Sequence, residues 1–236
     1  MEWYEKCKEI GVNSVLFRFD YPRELFISED LLKSRDLIQR CISSNGELSI
    51  IGEIGIGKTY IKRDFLNRYK NSEIKIIEPV IFSESCRIYD IYESIVNNVN
   101  QSIKPKWKLV DREPQAMQVL EDSEFEKFVI VIDNSQSLKK ELIDLLLEFK
   151  KKVSVPLSVI FIGTSINTNK NLEEYRLSGL NEEEKRKYFS LINEKVSTLL
   201  PYSIPIEVVK GCNTYFEIRE KYVDYAWKVK KGIIRF

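Results

Sequence analysis

The stretch GEIGIGKTY at residues 52–60 constrains the fold of this 236-residue chain more than any other segment. Its frame, G-x-x-x-x-G-K-T, follows the apolar run ELSII and precedes a helical pattern, which is the setting of a phosphate-binding loop between a buried strand and a helix. Gly52, Gly55 and Gly57 allow the backbone to wrap with its N–H groups turned inward. Lys58 supplies a positive charge for the β- and γ-phosphates of a nucleotide.

The whole loop is therefore predicted to hold a nucleotide phosphate tail. Its nine residues are Gly52, Glu53, Ile54, Gly55, Ile56, Gly57, Lys58, Thr59 and Tyr60. The Thr59 hydroxyl is a predicted ligand of Mg²⁺, and the dipole of the following helix favours the phosphates. A loop of this kind predicts a carboxylate at the end of another strand, in the second sphere of the metal, and Asp133 follows the apolar run FVIVI in that position. Thr59 and Asp133 together are predicted to hold Mg²⁺.

Strand and helix patterns alternate along the chain, which predicts an α/β fold with a parallel sheet covered by helices on both faces. The predicted strands are 48–52, 74–80, 127–133 and 156–163, and the predicted helices are 29–44, 58–69, 87–99, 115–122 and 137–152. After Gly179 two helices are predicted, with capping boxes at Asn181 with Glu184 and at Thr214 with Glu217. We therefore expect an αβα nucleotide-binding domain at 1–178 and a small helical lid at 179–236.

Composition excludes several kinds of chemistry. The chain contains no histidine, so imidazole bases and histidine-ligated metals are ruled out. The 37 basic and 36 acidic residues give a net charge of +1, and any nucleic-acid surface must therefore be local. The four cysteines are scattered, which is typical of reduced thiols and predicts a cytoplasmic location. Apolar runs are too short to span a bilayer, so no membrane insertion is expected.

Four stretches in order, GEIGIGKT, VIVIDNSQSL, PLSVIFIGTS and EEYRLSGLNEEEKRKYF, resemble AAA+ ATPases. The nearest branch contains the ExeA-type ATPases, the TnsC/MuB transposition ATPases and archaeal origin-recognition initiators, and the resemblance covers roughly 20–230. It implies a P-loop core with a helical lid, ATP or ADP with Mg²⁺ as cofactors, and self-assembly into a ring or filament. Non-specific double-stranded DNA and a partner protein such as a transposase or replication factor are further implied partners. The lead-in at 21–53 is similar to the stretch that packs the adenine side.

One residue departs from the family pattern. AAA+ ATPases read Asp-Glu at the end of the strand that carries Asp133, and the glutamate polarises the attacking water. This chain has Asn134 there, and an amide can orient water but cannot accept its proton. Gln136 stands two residues further on and is a candidate for placing the water, whereas Glu53 could replace the glutamate only by turning toward the γ-phosphate. The sequence therefore predicts nucleotide binding with slow hydrolysis.

The resemblance also suggests roles for residues farther along the chain. Thr164, with Ser165 as the alternative, matches the polar residue that follows the fourth strand and senses the γ-phosphate. Arg176 lies where relatives place an arginine that reaches the γ-phosphate of a neighbouring subunit, and we predict it on the loop between sheet and lid. The family's arginine at the start of the last helix is missing from GCNTYFEI, since Arg219 comes about one turn late.

A basic segment interleaved with an aromatic ring is the best candidate for a nucleic-acid surface. In SIKPKWKL, Lys104, Lys106 and Lys108 alternate around Trp107, which combines phosphate charges with a stacking group. The stretch WKVKKGIIRF from Trp227 is a second candidate, and a solvated basic loop is the alternative for both. Two functions remain open: an oligomerising ATPase that acts on DNA in transposition or replication, or a nucleotide-gated protein–protein adaptor of the ExeA or signalling type.

Overall fold

The computed structural model of the chain describes residues 2–13, 26–70, 73–79, 86–197, 199–200 and 203–234. The chain divides into two compact units. The sheet unit comprises Leu32–Gly52 and Lys58–Leu177, and the helical unit comprises Met1–Leu31, Glu53–Gly57 and Ser178–Phe236. The predicted functional boundary between 178 and 179 remains a prediction.

The sheet unit contains five parallel strands. They are β1 (Glu47–Ile51), β2 (Ile74–Ile77), β3 (Lys127–Asp133), β4 (Leu157–Gly163) and β5 (Glu173–Arg176). Their order across the sheet is β2-β3-β4-β1-β5. The two strands with the longest apolar runs, β3 and β4, lie side by side in the sheet. Their sequences are apolar because both faces of each strand are covered. The predicted parallel sheet is confirmed.

Helices cover both faces of this sheet. They are α2 (Glu29–Ser43), whose first turn belongs to the helical unit, α3 (Lys58–Arg68), α4 (Ile88–Val99), α5 (Arg112–Glu121) and α6 (Lys140–Lys152). On one face, side chains such as Ile130 of β3 form a core with Ile91 of α4 and Ile143 of α6. On the other, the Ser158 hydroxyl of β4 donates to the Cys41 carbonyl of α2 at 3.1 Å. The predicted α/β P-loop architecture is therefore confirmed.

The helical unit has its own core. It contains α1 (Trp3–Ile10), α7 (Glu182–Ser197), α8 (Tyr215–Lys230) and a short 3₁₀ turn at Ile206–Val209. Tyr222 and Ile218 of α8 are fully buried against α7 residues such as Phe189. Helix α1 packs on α8, where the Trp227 indole donates to Glu9 at 2.7 Å. The C-terminal helical region is present as expected.

Both predicted capping boxes are confirmed. The backbone N–H of Glu184 donates to Oδ1 of Asn181 at 2.9 Å, and the backbone N–H of Asn181 donates to the Glu184 carboxylate at 2.9 Å. At α8 the Glu217 amide donates to the Thr214 hydroxyl at 3.1 Å, and the Thr214 amide donates back to the Glu217 carboxylate at 3.1 Å. These bonds satisfy amide groups that a helix N-terminus otherwise leaves without partners.

Several predicted boundaries differ from the structure. Strand β2 ends at Ile77 instead of residue 80, which itself lies outside the described residues. Helix α5 begins at Arg112, and a 3₁₀ turn at Ser135–Ser137 precedes α6. Helix α1 and strand β5 have no counterpart in the predicted elements. Within the described part of the chain, no helix is long and apolar enough to cross a membrane.

Candidate functional site

Lys58 is the first residue of α3, at the carboxyl end of the parallel sheet. Its ammonium group donates to the carbonyl of Gly52 at 2.7 Å, and the Gly52 amide donates to the Gly163 carbonyl of β4 at 3.1 Å. Burial lowers the pKa of Lys58 from its usual value, while the negative charge of Asp133 opposes that shift. The structure thus brings Lys58 and Asp133 into one electrostatic environment, as the sequence predicts.

Asp133 has a direct partner that the sequence-based prediction missed. The Lys62 ammonium contacts the Asp133 carboxylate at 3.1 Å and the Glu78 carboxylate at 3.0 Å. Burial lowers the pKa of Lys62, but the hydrogen bonds to Glu78 and Asp133 outweigh burial and leave the pKa above its ordinary value. Lys62 stands one helical turn after Lys58, so its spacing was a usable signal for its position.

The tip of the loop, Glu53–Gly57, belongs to the helical unit. Gly55 has φ +82° and Gly57 has φ +114°, a region that side chains rarely allow. A Cβ on Gly55 would lie 2.3 Å from the Cβ of Phe216, and one on Gly57 would lie 2.9 Å from Cε2 of Tyr215. Both glycines are therefore required by conformation and by packing. The motif frame predicted them, but nothing in it predicted their aromatic neighbours.

The residues proposed for Mg²⁺ have suitable chemistry. Thr59 is exposed on the first turn of α3, and its hydroxyl with the Asp133 carboxylate offers the oxygen ligands that Mg²⁺ prefers. The Lys62 ammonium contacts the Asp133 carboxylate at 3.1 Å, so this carboxylate already balances one positive charge. The described residues contain no group of three or more His, Cys, Asp or Glu able to hold a metal. The hydroxyl oxygen of Thr59 and the carboxylate oxygens of Asp133 fit a Mg²⁺ ion whose remaining ligands would be nucleotide oxygens.

The polar residues after β3 and β4 come together. Asn134 is exposed and has φ +57°, and its backbone N–H donates to Oδ1 of Asp133 at 2.9 Å. The Gln136 side-chain oxygen accepts from the Thr164 amide at 3.0 Å. The Ser135 hydroxyl donates to the Ser165 carbonyl at 2.9 Å. Gln136 is thus fixed against Thr164, next to the residue that replaces the usual glutamate.

The prediction that Arg176 lies on a loop is wrong. Arg176 is the last residue of the edge strand β5, opposite Ile51 of β1, because its segment adds a short parallel strand to the sheet. Its side chain is 72% exposed and lies 3.5 Å from Glu174. Arg219 donates to the Tyr215 carbonyl at 3.1 Å, so its guanidinium turns back along its own helix. The adenine-side lead-in lies in part, at 21–25, outside the described residues.

The segment around Trp107 is displayed outward on a fixed backbone. Trp107 is 95% exposed. The buried Gln115 of α5 holds this backbone, accepting from the Lys106 amide at 2.7 Å and donating to the Lys104 carbonyl at 2.9 Å. Arg112 adds a bond to the Lys106 carbonyl at 3.0 Å. The side chains of the segment therefore project from a backbone that α5 holds in place.

The second basic stretch is engaged within the helical unit. Lys231 contacts the Glu9 carboxylate at 2.8 Å, and Lys230 donates to the Glu9 carbonyl at 2.6 Å. Lys228 contacts Asp224 at 2.7 Å. Because these contacts offset part of its charge, the stretch is a weaker candidate for phosphate binding than the segment around Trp107.

The family model described as an AAA domain matches residues 40–172, which is more than half of the chain. The chain belongs to this family and is an AAA+ P-loop ATPase by sequence and fold. No curated protein matches the sequence.

Solved structures show the same fold. Cdc6p from Pyrobaculum aerophilum matches with a TM-score of 0.63 and 15% identity, over 93% of this chain and 64% of that one. The ORC2 protein of Aeropyrum pernix, in ADPNP–ADP complexes, matches with a TM-score of 0.55 and 14% identity, over 92% and 65%. A DNA replication initiation factor matches with a TM-score of 0.53 and 11% identity, over 89% and 65%. The chain thus spans slightly under two thirds of the length of these relatives.

Proposed function

We propose that this protein binds ATP or ADP with Mg²⁺ through the loop at 52–60, hydrolyses ATP slowly, and assembles with ATP to act on DNA. The observation that carries nucleotide binding is the placement of Lys58 at the carboxyl end of the parallel sheet, beside Asp133. Ligands of open α/β sheets bind at this end. Thr59 and Asp133 are the residues proposed to hold Mg²⁺, Asp133 from the second sphere, and Mg²⁺ would neutralise charge on the β- and γ-phosphates. Thr164 and Arg176 are the proposed contacts to the γ-phosphate, Arg176 from a neighbouring subunit.

A nucleotide titration tests the loop directly. Lys58→Ala removes a charged donor to phosphate, worth about 1.5–3 kcal/mol, so fluorescent ATP and ADP should bind at least about tenfold more weakly. Lys70→Ala is the matched control, because Lys70 is an exposed lysine just after the same helix. Equal affinity in Lys58→Ala and wild type would show that the nucleotide does not bind here.

DNA binding is proposed for the segment containing Lys104, Lys106, Trp107 and Lys108. Support comes from the exposed indole and from the backbone held by Gln115, since alternating charges and a ring suit phosphate contact and base stacking. One solved structure with the same fold is that of a DNA replication initiation factor. DNA binding by this chain can be tested directly.

Co-sedimentation with non-specific duplex DNA provides that experiment. We expect DNA binding that depends on ATP. The slope of the logarithm of the binding constant against the logarithm of the salt concentration should fall in magnitude by about 1 for each of Lys104, Lys106 and Lys108 that is replaced by Ala. The control removes the same charge from exposed sites elsewhere, at Lys70, Lys151 and Lys170. If wild type binds no DNA with ATP present, the nucleotide-gated adaptor becomes the better hypothesis.

A further inference from the structure

Hydrolysis by this site needs a group that accepts the proton of the attacking water. Asn134 cannot accept it, because an amide has no basicity near neutral pH. Asp133 is proposed to hold Mg²⁺ from the second sphere and is therefore committed to another role. Besides Glu53 in the loop, a carboxylate elsewhere at the carboxyl end of the sheet can do this work.

Glu78 lies at that end of the sheet. It directly follows β2, which pairs in parallel with β3, the strand that ends in Asp133. Because the carboxyl ends of parallel strands meet at one edge, Glu78 and Asp133 emerge on the same side. Their carboxylates contact the same Lys62 ammonium, at 3.0 Å for Glu78 and 3.1 Å for Asp133.

The shared contact has little value for stability. The side chains of Glu78 and Asp133 are 39% and 35% exposed, and ion pairs this accessible contribute only about 0–1 kcal/mol. The arrangement instead keeps a second carboxylate beside Asp133, and accessible to water. A general base must reach the attacking water, and a carboxylate that is exposed at this end of the sheet can do so.

We propose that Glu78 is the general base for ATP hydrolysis, taking the place of the glutamate that this chain lacks at position 134. The proposal rests on nucleotide binding at the loop as proposed above. Glu78 takes a proton from water while the water oxygen forms a bond to the γ-phosphorus. The bond between that phosphorus and the β–γ bridging oxygen breaks, and its electron pair leaves with ADP. The proton then passes from Glu78 to solvent, which regenerates the carboxylate.

The experiment measures nucleotide binding and single-turnover phosphate release separately. Glu78→Gln should bind fluorescent ATP within about twofold of wild type and release phosphate at least about a hundredfold more slowly. Glu73→Gln is the matched control, since Glu73 is an exposed glutamate at the opposite end of the same strand. The double variant Glu78→Gln with Asn134→Glu should recover phosphate release, because it returns a carboxylate to the site.

Each contrary result has a distinct meaning. Phosphate release by Glu78→Gln at the wild-type rate overturns the proposal, as does a failure of the double variant to recover. Loss of ATP binding in Glu78→Gln also overturns it, because Glu78 would then serve binding or folding. If wild type binds no nucleotide, the proposed function fails instead, and the binding titration reports this independently of the Glu78 variants.

Discussion

The backbone at residue 134 helps to explain which side chains it tolerates. Asn134 has φ +57°, a left-handed conformation that Asn adopts more readily than most residues. For a glutamate, the same left-handed backbone conformation would cost roughly 1 kcal/mol of conformational free energy. Asparagine in place of the usual glutamate therefore also suits the local turn, in which the backbone N–H of Asn134 donates to Asp133.

Replacing Asn134 separates this backbone effect from chemistry. Wild type should turn over below about 1 s⁻¹ even with Glu78 as its base, because Glu78 is held by the Lys62 ammonium. Asn134→Glu should raise the rate tenfold or more, because it places a base directly after Asp133 and a positioned base contributes about 10²–10⁴. Asn134→Gln is the control, since it shares the backbone cost without supplying a base. Steady-state phosphate release measures the rates, and thermal unfolding should show similar losses of stability in both variants. Fast wild-type turnover with no gain in Asn134→Glu would contradict slow hydrolysis.

Single residues were predictable where a motif fixes both their type and their spacing. Gly55, Gly57 and Lys58 stand where the phosphate-binding frame demands them, with positive φ at both glycines. The contact between Glu78 and Lys62 could not be predicted in the same way, although the spacing of Lys62 from Lys58 indicated where Lys62 stands. Their contact depends on β2 lying beside β3, and strand order is set by tertiary packing instead of local sequence.

At the scale of elements, the connection between α4 and α5 shows how a polar segment is ordered without regular structure. Gln115 bonds to the backbone on both sides of Pro105, and each bond contributes about 1 kcal/mol. Gln115→Ala removes both bonds and should therefore open the segment about thirtyfold more often, although it changes no charge. Trypsin cleavage after Lys106 and Lys108 measures this opening. Gln118→Ala, at an exposed position of α5, is the control. Unchanged cleavage in Gln115→Ala would show that these bonds do not hold the segment.

The elements that the sequence predicted well are those with clear apolar periodicity or caps. Strands β3 and β4 are continuous apolar runs, and α7 and α8 begin with capping boxes. Strand β5 has the sequence EEYR and is largely exposed at the edge of the sheet, so no apolar pattern indicates it. It forms because β1 offers it a parallel backbone partner, and that partnership is a long-range property.

At the scale of the whole molecule, β5 changes how Arg176 must be considered. A residue on a free loop could turn in many directions, whereas the last residue of a paired strand has a fixed backbone. The side chain is nevertheless 72% exposed at the carboxyl end of an edge strand, where another subunit can approach it. An arginine suits contact with a γ-phosphate because its planar fork donates to two oxygens at once.

If hydrolysis is slow, the nucleotide is most useful as a bridge between subunits. ATP then favours the assembled state only by its higher affinity for that state. Arg176→Ala should leave nucleotide affinity of the monomer nearly unchanged, while weakening ATP-dependent self-association and any DNA binding that depends on it. Arg40→Ala is the control, because Arg40 is also exposed and contacts the same strand through Glu173. Light scattering with ATP and a non-hydrolysable analogue measures assembly. If the wild-type protein stays monomeric at high concentration with nucleotide and DNA present, Arg176 does not have this role and the adaptor hypothesis is favoured.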